Sequence, residues 1–283
     1  MDHFLYRDGV LYAEDVPVSD IASAVGTPFY LYSSATLLRH FTLFDDALDG
    51  LPHMVCFAMK SASNQAILKL LADAGAGMDV VSGGEYMRAK AAGVPGDKIV
   101  FSGIGKTADE MRLALEGGIR QFNVESEPEM QVLSAVATQL GKTAPITVRV
   151  NPDVDAKTHA KIATGRKEDK FGIPIARARE VYALAASLPG LKVIGIDVHI
   201  GSQLTELAPF EAAYQKVAEL TEQLRADGHE ITRLDLGGGL GIPYTRSNEA
   251  PPLPTDYGAL IKKTVGHLGC EIEIAPGRLI SGN

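Results

Sequence analysis

The sequence of 283 residues has no tryptophan and only two cysteines, Cys56 and Cys270. Both cysteines stand inside apolar, strand-like segments. A free cysteine in such a place behaves as a small core residue, and disulfides belong mainly to oxidising compartments. We therefore predict two buried thiols rather than a disulfide.

Three further features are missing, and each excludes a class of protein. No apolar run is long enough to cross a membrane. The opening segment MDHFLYRDGV lacks the basic start and apolar stretch of a secretory signal. The 27 basic side chains, set against 35 acidic ones for a net charge of −8, form no concentrated stripe that would bind nucleic acid. We therefore predict a cytoplasmic protein with neither a membrane nor a nucleic-acid partner.

Hydrophobic residues make up 46% of the chain, which is enough for a sizeable core. Strand-like runs alternate with helix-like segments, most of which have apolar residues at helical spacing and some of which end on glycine. Eight such alternations predict a TIM (β/α)8 barrel, and a doubly wound parallel sheet is the alternative that short strands leave open. The predicted strands are MVCFAMK (54–60), GMDVVS (77–82), IVFSG (99–103), QFNVES (121–126), ITVRVN (146–151), VIGIDVHIG (193–201), RLDLGG (233–238) and EIEIAPG (271–277).

The first part of the chain does not follow this alternation. In FLYRDGVLYAEDV, apolar and polar residues alternate on both sides of Asp8-Gly9, and this dipeptide is a strong hairpin signal. FYLYS (29–33) predicts another strand, and a helix is expected from about Ser34 to Leu48. We therefore predict an N-terminal β segment at 1–33 and the barrel at 34–283.

The predicted strands carry polar residues on the faces that a barrel turns inward. Side chains alternate along a strand, so in 193–201 the isoleucines share one face, while Asp197 and His199 share the other. Buried polar groups cost free energy unless they are paired or used, and TIM-barrel active sites lie at the C-terminal ends of the strands. One site should therefore bring together Lys60, Asp79, Asn123, Arg149, Asn151, His199 and the glycines of RLDLGG.

The candidate chemistry of this site starts with Lys60, at the end of an apolar run. It is either a lysine whose ammonium reaches solvent or a desolvated amine that acts as a nucleophile. The glycines of GGGLGIPY (237–244) and of APGRLISG (275–282) predict a phosphate site. Arg278 there is either a phosphate or carboxylate ligand or a surface arginine.

No second His, Cys or acidic residue is spaced to make a convincing metal site with His199, so we predict no metal site. It is either a hydrogen-bonded structural residue or a ring that stacks on a flat cofactor. A reactive lysine, a phosphate site and a stacking ring together indicate pyridoxal phosphate (PLP). The long segments 152–170 and 244–256 are expected to be functional or disordered loops.

At these residues the chain resembles the fold type III PLP-dependent decarboxylases, whose barrel is alanine-racemase-like. The resemblance covers essentially the whole chain, and KIATGRKEDKFGI favours the diaminopimelate branch over ornithine and arginine decarboxylases. The matching stretches are FAMKSASN, MDVVSGGE, FSGIGKT, FNVES, RVNPDVDAKTHAKIATGRKEDKFGI, DVHIGSQ, LDLGGGLGIPY and APGRLISGN.

The resemblance implies decarboxylation of meso-diaminopimelate to L-lysine and CO₂ by a homodimer. Lys60 would hold PLP covalently and later move protons, His199 would stack on the cofactor ring, and Asp79 would lie near both. Arg278 would bind phosphate and also be available to the substrate. The implied cofactor-binding set is Lys60, Asp79, His199, Ser202, Gly238, Gly239, Ala275, Pro276, Gly277 and Arg278.

The chain departs from the family at two points. Where the family has E-P-G-R, with a glutamate that pairs with the pyridine nitrogen, this chain has Ala275. Alanine cannot accept that hydrogen bond, so we expect slower decarboxylation. Glu273 lies one strand repeat deeper, about 6.5 Å away, and is poorly placed to compensate.

The family also continues beyond the barrel into a C-terminal β domain, which 1–33 would join and which this chain is expected to lack. Apolar faces of 1–33 would then be exposed and favour association. The departures keep two alternatives open: a catalytically silent PLP-binding barrel, or another PLP-dependent basic amino-acid decarboxylase or racemase.

Overall fold

The computed structural model describes residues 3–155, 164–165, 171–244 and 251–282. A small antiparallel sheet precedes the main domain and contains β1 (Phe4–Arg7), β2 (Val10–Ala13) and β3 (Val16–Pro17). Asp8 and Gly9 both have positive φ, 49° and 81°, as the turn of a two-residue hairpin requires. The predicted hairpin is therefore confirmed.

The predicted strand at 29–33 is wrong. Helix α1 (Val18–Val25) follows the small sheet, and residues 29–33 form no strand. Aromatic residues favour strands mainly where they pack on a partner, whereas Tyr30 is 92% exposed. The alternation in FYLYS therefore had no neighbouring strand to pair with.

The main sheet is a closed, parallel barrel in the order β10-β11-β12-β4-β5-β6-β7-β8, and pairing of β8 with β10 closes it. The two-residue strand β9 pairs in parallel with the end of β8. All eight predicted barrel strands are confirmed, and the doubly wound alternative is excluded by the closure. The strands are β4 (His53–Ala58), β5 (Gly77–Val80), β6 (Ile99–Phe101), β7 (Gln121–Val124), β8 (Ala144–Asn151), β9 (Ile173–Pro174), β10 (Leu191–Asp197), β11 (Arg233–Asp235) and β12 (Glu271–Ile274).

Helices surround the barrel and cover the outward apolar faces of the strands. Several begin where a side chain caps the free backbone N–H groups, as in the reciprocal pair of Thr107 and Glu110. The helix predicted at 34–48 is confirmed. The helices are α2 (Ser34–Ala47), α3 (Gln65–Asp73), α4 (Gly83–Ala91), α5 (Ala108–Glu116), α6 (Glu127–Gln139), α7 (Ala178–Ser187), α8 (Ala208–Ala226), α9 (Pro254–Val265) and α10 (Arg278–Ser281).

The barrel interior is polar, as the strand alternation predicts. Near its N-terminal end, Arg120 contacts Glu273 on the far side of the barrel and lies 2.7 Å from Glu271. Arg233 pairs with the same Glu271 at 3.1 Å. These ion pairs fill the bottom layer, so the open space lies above them, toward the C-terminal ends of the strands.

Both cysteines are buried free thiols, as predicted. No helix among the described residues is long and apolar enough to cross a membrane. Much of the predicted loops 152–170 and 244–256 lies outside the described residues, namely 156–163, 166–170 and 245–250. The division at residue 33 and the docking of 1–33 on a further β domain stay predictions.

Candidate active site

A cavity of about 870 Å³ opens at the C-terminal ends of the barrel strands. Almost every side chain that the strand alternation predicts for the site lines it. These residues are Lys60, Asp79, Asn123, Arg149, His199, Gly237 and Gly238. Closure of the sheet therefore brings together groups that lie almost 180 residues apart in the chain.

The prediction that Asn151 joins this site is wrong. Asn151 does not line the cavity, and its Oδ1 accepts a hydrogen bond from the backbone N–H of Asp153 at 3.0 Å. The reason is local: β8 ends at Asn151, and the amide side chain stabilises the turn that follows.

Lys60 lies two residues beyond the end of β4, not at the end of the strand as predicted. The strand stops at Ala58, and Met59–Ser61 form one turn of 3-10 helix that buries Met59. Lys60 then lines the cavity, with its side chain 55% exposed and its Nζ 3.8 Å from Oδ2 of Asp79. The amine is therefore accessible from the cavity and faces a carboxylate.

Asp79 is almost completely buried on β5, beside Ala58 of β4. Its Oδ2 faces Lys60, whereas its buried Oδ1 has no hydrogen-bond partner among the described residues. A carboxylate oxygen without a donor costs free energy. Asp79 thus presents Oδ2 to the lysine and keeps Oδ1 buried without a donor among the described residues.

His199 follows β10 and lines the cavity as a neutral ring. Removal from water lowers its pKa well below 6.5, and the positive charges of Arg149 and Lys60 lower it further. The backbone N–H of Gly238 donates to Nδ1 at 3.3 Å. Because Nδ1 accepts this bond, the ring hydrogen is placed on Nε2.

The glycines after β11 let three strand ends approach one another closely. A Cβ added at Gly238 would lie 2.2 Å from the carbonyl oxygen of Ala275, and one added at Gly239 would lie 2.3 Å from the carbonyl oxygen of Gly201. Gly237 also has a φ of 64°, which favours glycine. The loops thus form a cavity wall of bare backbone, as the phosphate-site prediction requires.

The remaining predicted phosphate ligands belong to the same cavity. Ser202, Gly277 and Arg278 all line the cavity. The Arg278 guanidinium donates to Oε1 of Gln203 at 3.3 Å and contacts the Tyr244 hydroxyl. Its head group is therefore held at the cavity mouth rather than extended into solvent.

The cavity floor contains two more buried carboxylates. Asp235 accepts from the Gly237 N–H at 2.9 Å and from Nδ2 of Asn123 at 2.8 Å, and burial raises its pKa well above the usual value. Burial also raises the pKa of Asp197 to about 7, although the Arg149 guanidinium opposes the shift. The floor is therefore polar but low in net negative charge.

Ala275 lines the cavity without a polar group. Glu273 is not among the residues that line it and is bound to Arg120 below, so it does not replace an acid at position 275. Pro276, also predicted in the cofactor site, lies behind the cavity wall. Its carbonyl oxygen accepts from the Ala58 N–H at 3.2 Å, which holds the end of β12 against β4.

Sequence reasoning missed several residues of the site. Asp235 was detectable, because it precedes Gly237 by two residues and so shares its face in RLDLGG. Thr164 and Phe171 had no such signal, since they stand in a long loop without periodicity. Thr164 donates to the His199 carbonyl oxygen at 2.8 Å, and the Phe171 ring lies 5.1 Å from the Arg149 guanidinium.

The site fits PLP. It offers an accessible amine at Lys60, a flat neutral ring at His199 and a wall that excludes any Cβ at Gly238 and Gly239. Asp79 adds a buried carboxylate, whose Oδ2 lies 3.8 Å from the amine. An amine, an aromatic face and a backbone cradle are the groups that hold this cofactor.

The comparisons with known proteins agree with this fit. The family model "Pyridoxal-dependent decarboxylase, pyridoxal binding domain" matches residues 34–282. The chain is 51% identical to diaminopimelate decarboxylase of Haemophilus influenzae and 52% identical to that of Vibrio cholerae. Both matches cover 100% of this chain and 68% of the relative, so the chain spans about two thirds of their length.

Solved structures show the same fold. Diaminopimelate decarboxylase of Helicobacter pylori, complexed with L-lysine, matches with a TM-score of 0.90 at 39% identity, over 93% of this chain and 66% of that one. The M. jannaschii enzyme in complex with L-lysine matches with a TM-score of 0.92 at 35% identity, over 98% and 67%. The chain therefore belongs to the pyridoxal-dependent decarboxylases, and within them to the diaminopimelate decarboxylases.

Proposed function

We propose that this chain is the PLP-binding barrel of an enzyme that decarboxylates meso-diaminopimelate to L-lysine and CO₂. The observation that carries the proposal is the meeting of Lys60, His199 and the glycine wall in one cavity. PLP, when bound, supplies an electron sink that accepts the electron pair of the breaking C–COO⁻ bond. The relatives named above are diaminopimelate decarboxylases, which supports this substrate.

Lys60 is the proposed covalent anchor and proton carrier. Its Nζ is accessible from the cavity and lies 3.8 Å from Oδ2 of Asp79. A lysine must lose its proton to react as a nucleophile. Asp79 keeps the side chain directed along the wall, so that the same Nζ is in place to return a proton to the product.

His199 and Arg278 have positioning roles in the proposal. The neutral His199 ring adds no charge to the cavity, and the bond from the Gly238 N–H fixes its orientation. Arg278 offers a guanidinium at the mouth, where it can bind a substrate carboxylate in bidentate fashion. Gln203 accepts from Arg278 and from the Ile242 N–H, which ties Arg278 to the glycine loop.

Three further statements belong to the proposal. The active assembly is a homodimer, the protein works in the cytoplasm, and residues 1–33 form a unit separate from the barrel. The start of the matched family model at residue 34 supports the last of these. Sedimentation, cell fractionation and limited proteolysis around residue 33 test the three in turn.

The anchor is tested by mixing the purified chain with PLP, reducing with borohydride and mapping the modified lysine by mass spectrometry. We expect modification at Lys60, and its loss in Lys60→Ala. Lys69→Ala is the matched control, because Lys69 is an exposed surface lysine paired with Asp73. No modification at Lys60 would remove the cofactor assignment.

The reaction is tested by CO₂ release from meso-diaminopimelate, with ornithine and lysine as competing substrates. Release from meso-diaminopimelate is the expected result. Preference for ornithine would contradict the substrate assignment. Ala275 favours a second candidate, a silent PLP-binding barrel, and modification of Lys60 without turnover of any substrate would support it.

A further inference from the structure

Arg278 reaches the cavity mouth with only part of its guanidinium engaged. Its hydrogen bonds among the described residues, to Oε1 of Gln203 at 3.3 Å and to the Tyr244 hydroxyl, both use the same terminal nitrogen, Nη1. A guanidinium has five N–H donors, and those on Nε and Nη2 form an edge that matches two oxygens of a carboxylate or phosphate. Within the part of the chain that the structure describes, this edge has no hydrogen-bond partner. It is therefore available to an anion in the cavity.

Gln203 contacts Arg278 from behind the cavity wall. It is not among the residues that line the cavity, whereas Arg278 and Tyr244 are. Its Nε2 donates to the Ile242 carbonyl oxygen at 2.6 Å, and its Oε1 accepts from the Ile242 N–H at 3.1 Å. Because a backbone N–H can only donate and a carbonyl oxygen can only accept, these two bonds fix the orientation of the amide. Oε1 is therefore the atom that Arg278 meets.

The backbone holds the Gln203 amide in one place. Gln203 has a φ of 58°, a left-handed conformation that is uncommon for residues other than glycine. Backbone bonds of 2.9 Å join its neighbour Leu204 to Gly239 and to Gly241. A Cβ at Gly241 would lie 3.2 Å from Cδ of Gln203, so the amide packs against bare backbone. A rare conformation that the surrounding loops enforce at a cavity is a sign of function.

We propose that Gln203 is a positioning residue, which holds Nη1 of Arg278 and so presents the free Nε–Nη2 edge to two oxygens of an anionic group in the cavity. The inference deepens the proposed function and rests on it, because that function supplies the anion. The anion is either the cofactor phosphate or a substrate carboxylate, which share this chemistry. Gln203 does not touch the anion and acts only through Arg278.

The test measures anion binding by the full chain in two ways. Pimelate, a seven-carbon dicarboxylate without an amine, represents the substrate carboxylate and is titrated into the chain with and without PLP. The affinity for PLP relative to pyridoxal represents the phosphate. We expect Gln203→Met, which removes both amide groups but keeps the side-chain length, to weaken one of the two by roughly tenfold. Which of them falls identifies the anion.

A second variant separates the amide from the backbone conformation. Asparagine adopts the left-handed conformation readily, but its side chain is one methylene shorter and does not reach both Ile242 and Arg278. Gln203→Asn should therefore fold and show the same loss of anion binding. Gln223→Met, at an exposed glutamine on α8, is the matched control and should change neither measurement.

A double variant tests whether Gln203 acts through Arg278. Arg278→Lys keeps the positive charge but has no planar edge to present. Adding Gln203→Met to Arg278→Lys should therefore weaken binding no further, whereas a purely structural effect of Gln203 would add to it. Unchanged binding in Gln203→Met and Gln203→Asn, additive losses in the double variant, or an unmodified chain that neither binds pimelate nor prefers PLP to pyridoxal would each overturn the inference.

Borohydride trapping on the same samples separates the two proposals. Trapping at Lys60 with anion binding that does not depend on Gln203 contradicts this inference alone. Absence of trapping at Lys60 in the unmodified chain contradicts the proposed function itself.

Discussion

Individual side chains of the site depend on burial for their charge state. His199 stays neutral because removal from water and two nearby cations disfavour its protonation. Asp197 shifts the other way, since burial disfavours its ionised form more than Arg149 favours it. A cavity for an anionic cofactor thus avoids an accumulation of negative charge on its floor.

Asp197 should make folding stability depend on pH. Its pKa rises from 3.8 to about 7 on folding, so between these values the folded state binds more protons than the unfolded state. The stability that the protonated Asp197 contributes is then fully present below about pH 4 and is lost as the pH rises through 7. Asp197→Asn lacks this loss. Relative to the unmodified chain, its free energy of unfolding should therefore rise by up to roughly 1.4 kcal/mol for each pH unit between 3.8 and about 7.

Urea unfolding of both proteins at pH 5 and pH 8 measures this difference. The other titrating groups are shared, so the change in the difference between the two pH values reports Asp197 together with its effect on Asp235, whose pKa it raises. An equal stability difference at both pH values would show that Asp197 does not titrate in this window.

At the scale of elements, packing of α9 on α2 depends on a glycine. A Cβ at Gly258 in α9 would lie 2.3 Å from the Ala47 carbonyl oxygen and 2.8 Å from its Cβ. Gly84 in α4 is also helical, but a Cβ there meets only the Ser82 Oγ at 3.7 Å. The two glycines therefore form a matched pair with opposite surroundings.

We predict that Gly258→Ala destabilises the chain by about 1–3 kcal/mol, because overpacking outweighs the gain in helix propensity. Gly84→Ala should instead be neutral or stabilise by about 0.5–1 kcal/mol. Thermal or urea unfolding of both variants checks the contrast. Equal effects of the two substitutions would contradict close packing at Gly258.

The bottom of the barrel depends on a buried ion pair between β12 and the residue before β7. Glu273 is buried and contacts Arg120, while Glu271 retains Arg233 as a second partner. Removing Arg120 therefore leaves Glu273 as a buried carboxylate without its cation.

Arg120→Met should destabilise the chain by about 3–5 kcal/mol, since it leaves that charge unpaired. The double variant Arg120→Met with Glu273→Met should recover most of the loss, because two apolar side chains replace the pair. Urea unfolding of the single and double variants measures the coupling. A double variant as unstable as the single one would show that packing, rather than the unpaired charge, sets the cost.

For the molecule as a whole, the small N-terminal sheet exposes apolar side chains on one of its faces. Leu5 and Val10 are 49% and 42% exposed, and their strand register places them on the same side. Exposed apolar surface of this kind drives association. We therefore predict that Leu5→Thr combined with Val10→Thr weakens self-association several-fold.

Sedimentation over a range of concentrations measures this effect. Val25→Thr is the control, because Val25 is also exposed but lies on α1, outside the sheet. Association that is unchanged by the double substitution would place the contact on another surface.

Much of the fold was predictable because its signals are local. The eight barrel strands, the hairpin turn at Asp8-Gly9 and the inward polar face of each strand follow from periodicities of two and 3.6 residues. Periodicity failed at FYLYS, where no strand lies alongside, and at Lys60, where β4 ends in a 3-10 turn. Neither outcome is encoded in the alternation of the segment itself.

Which side chains face inward, and which loops require glycine, follow from local residue patterns. Only the closed barrel decided how those side chains pair, because pairing depends on contacts between distant strands. It joined Asn123 to Asp235 and Arg120 to Glu273, turned Asn151 away from the cavity and left Oδ1 of Asp79 without a donor. Local patterns fix a side chain's face on its own strand, whereas its partner depends on the register and closure of the whole sheet.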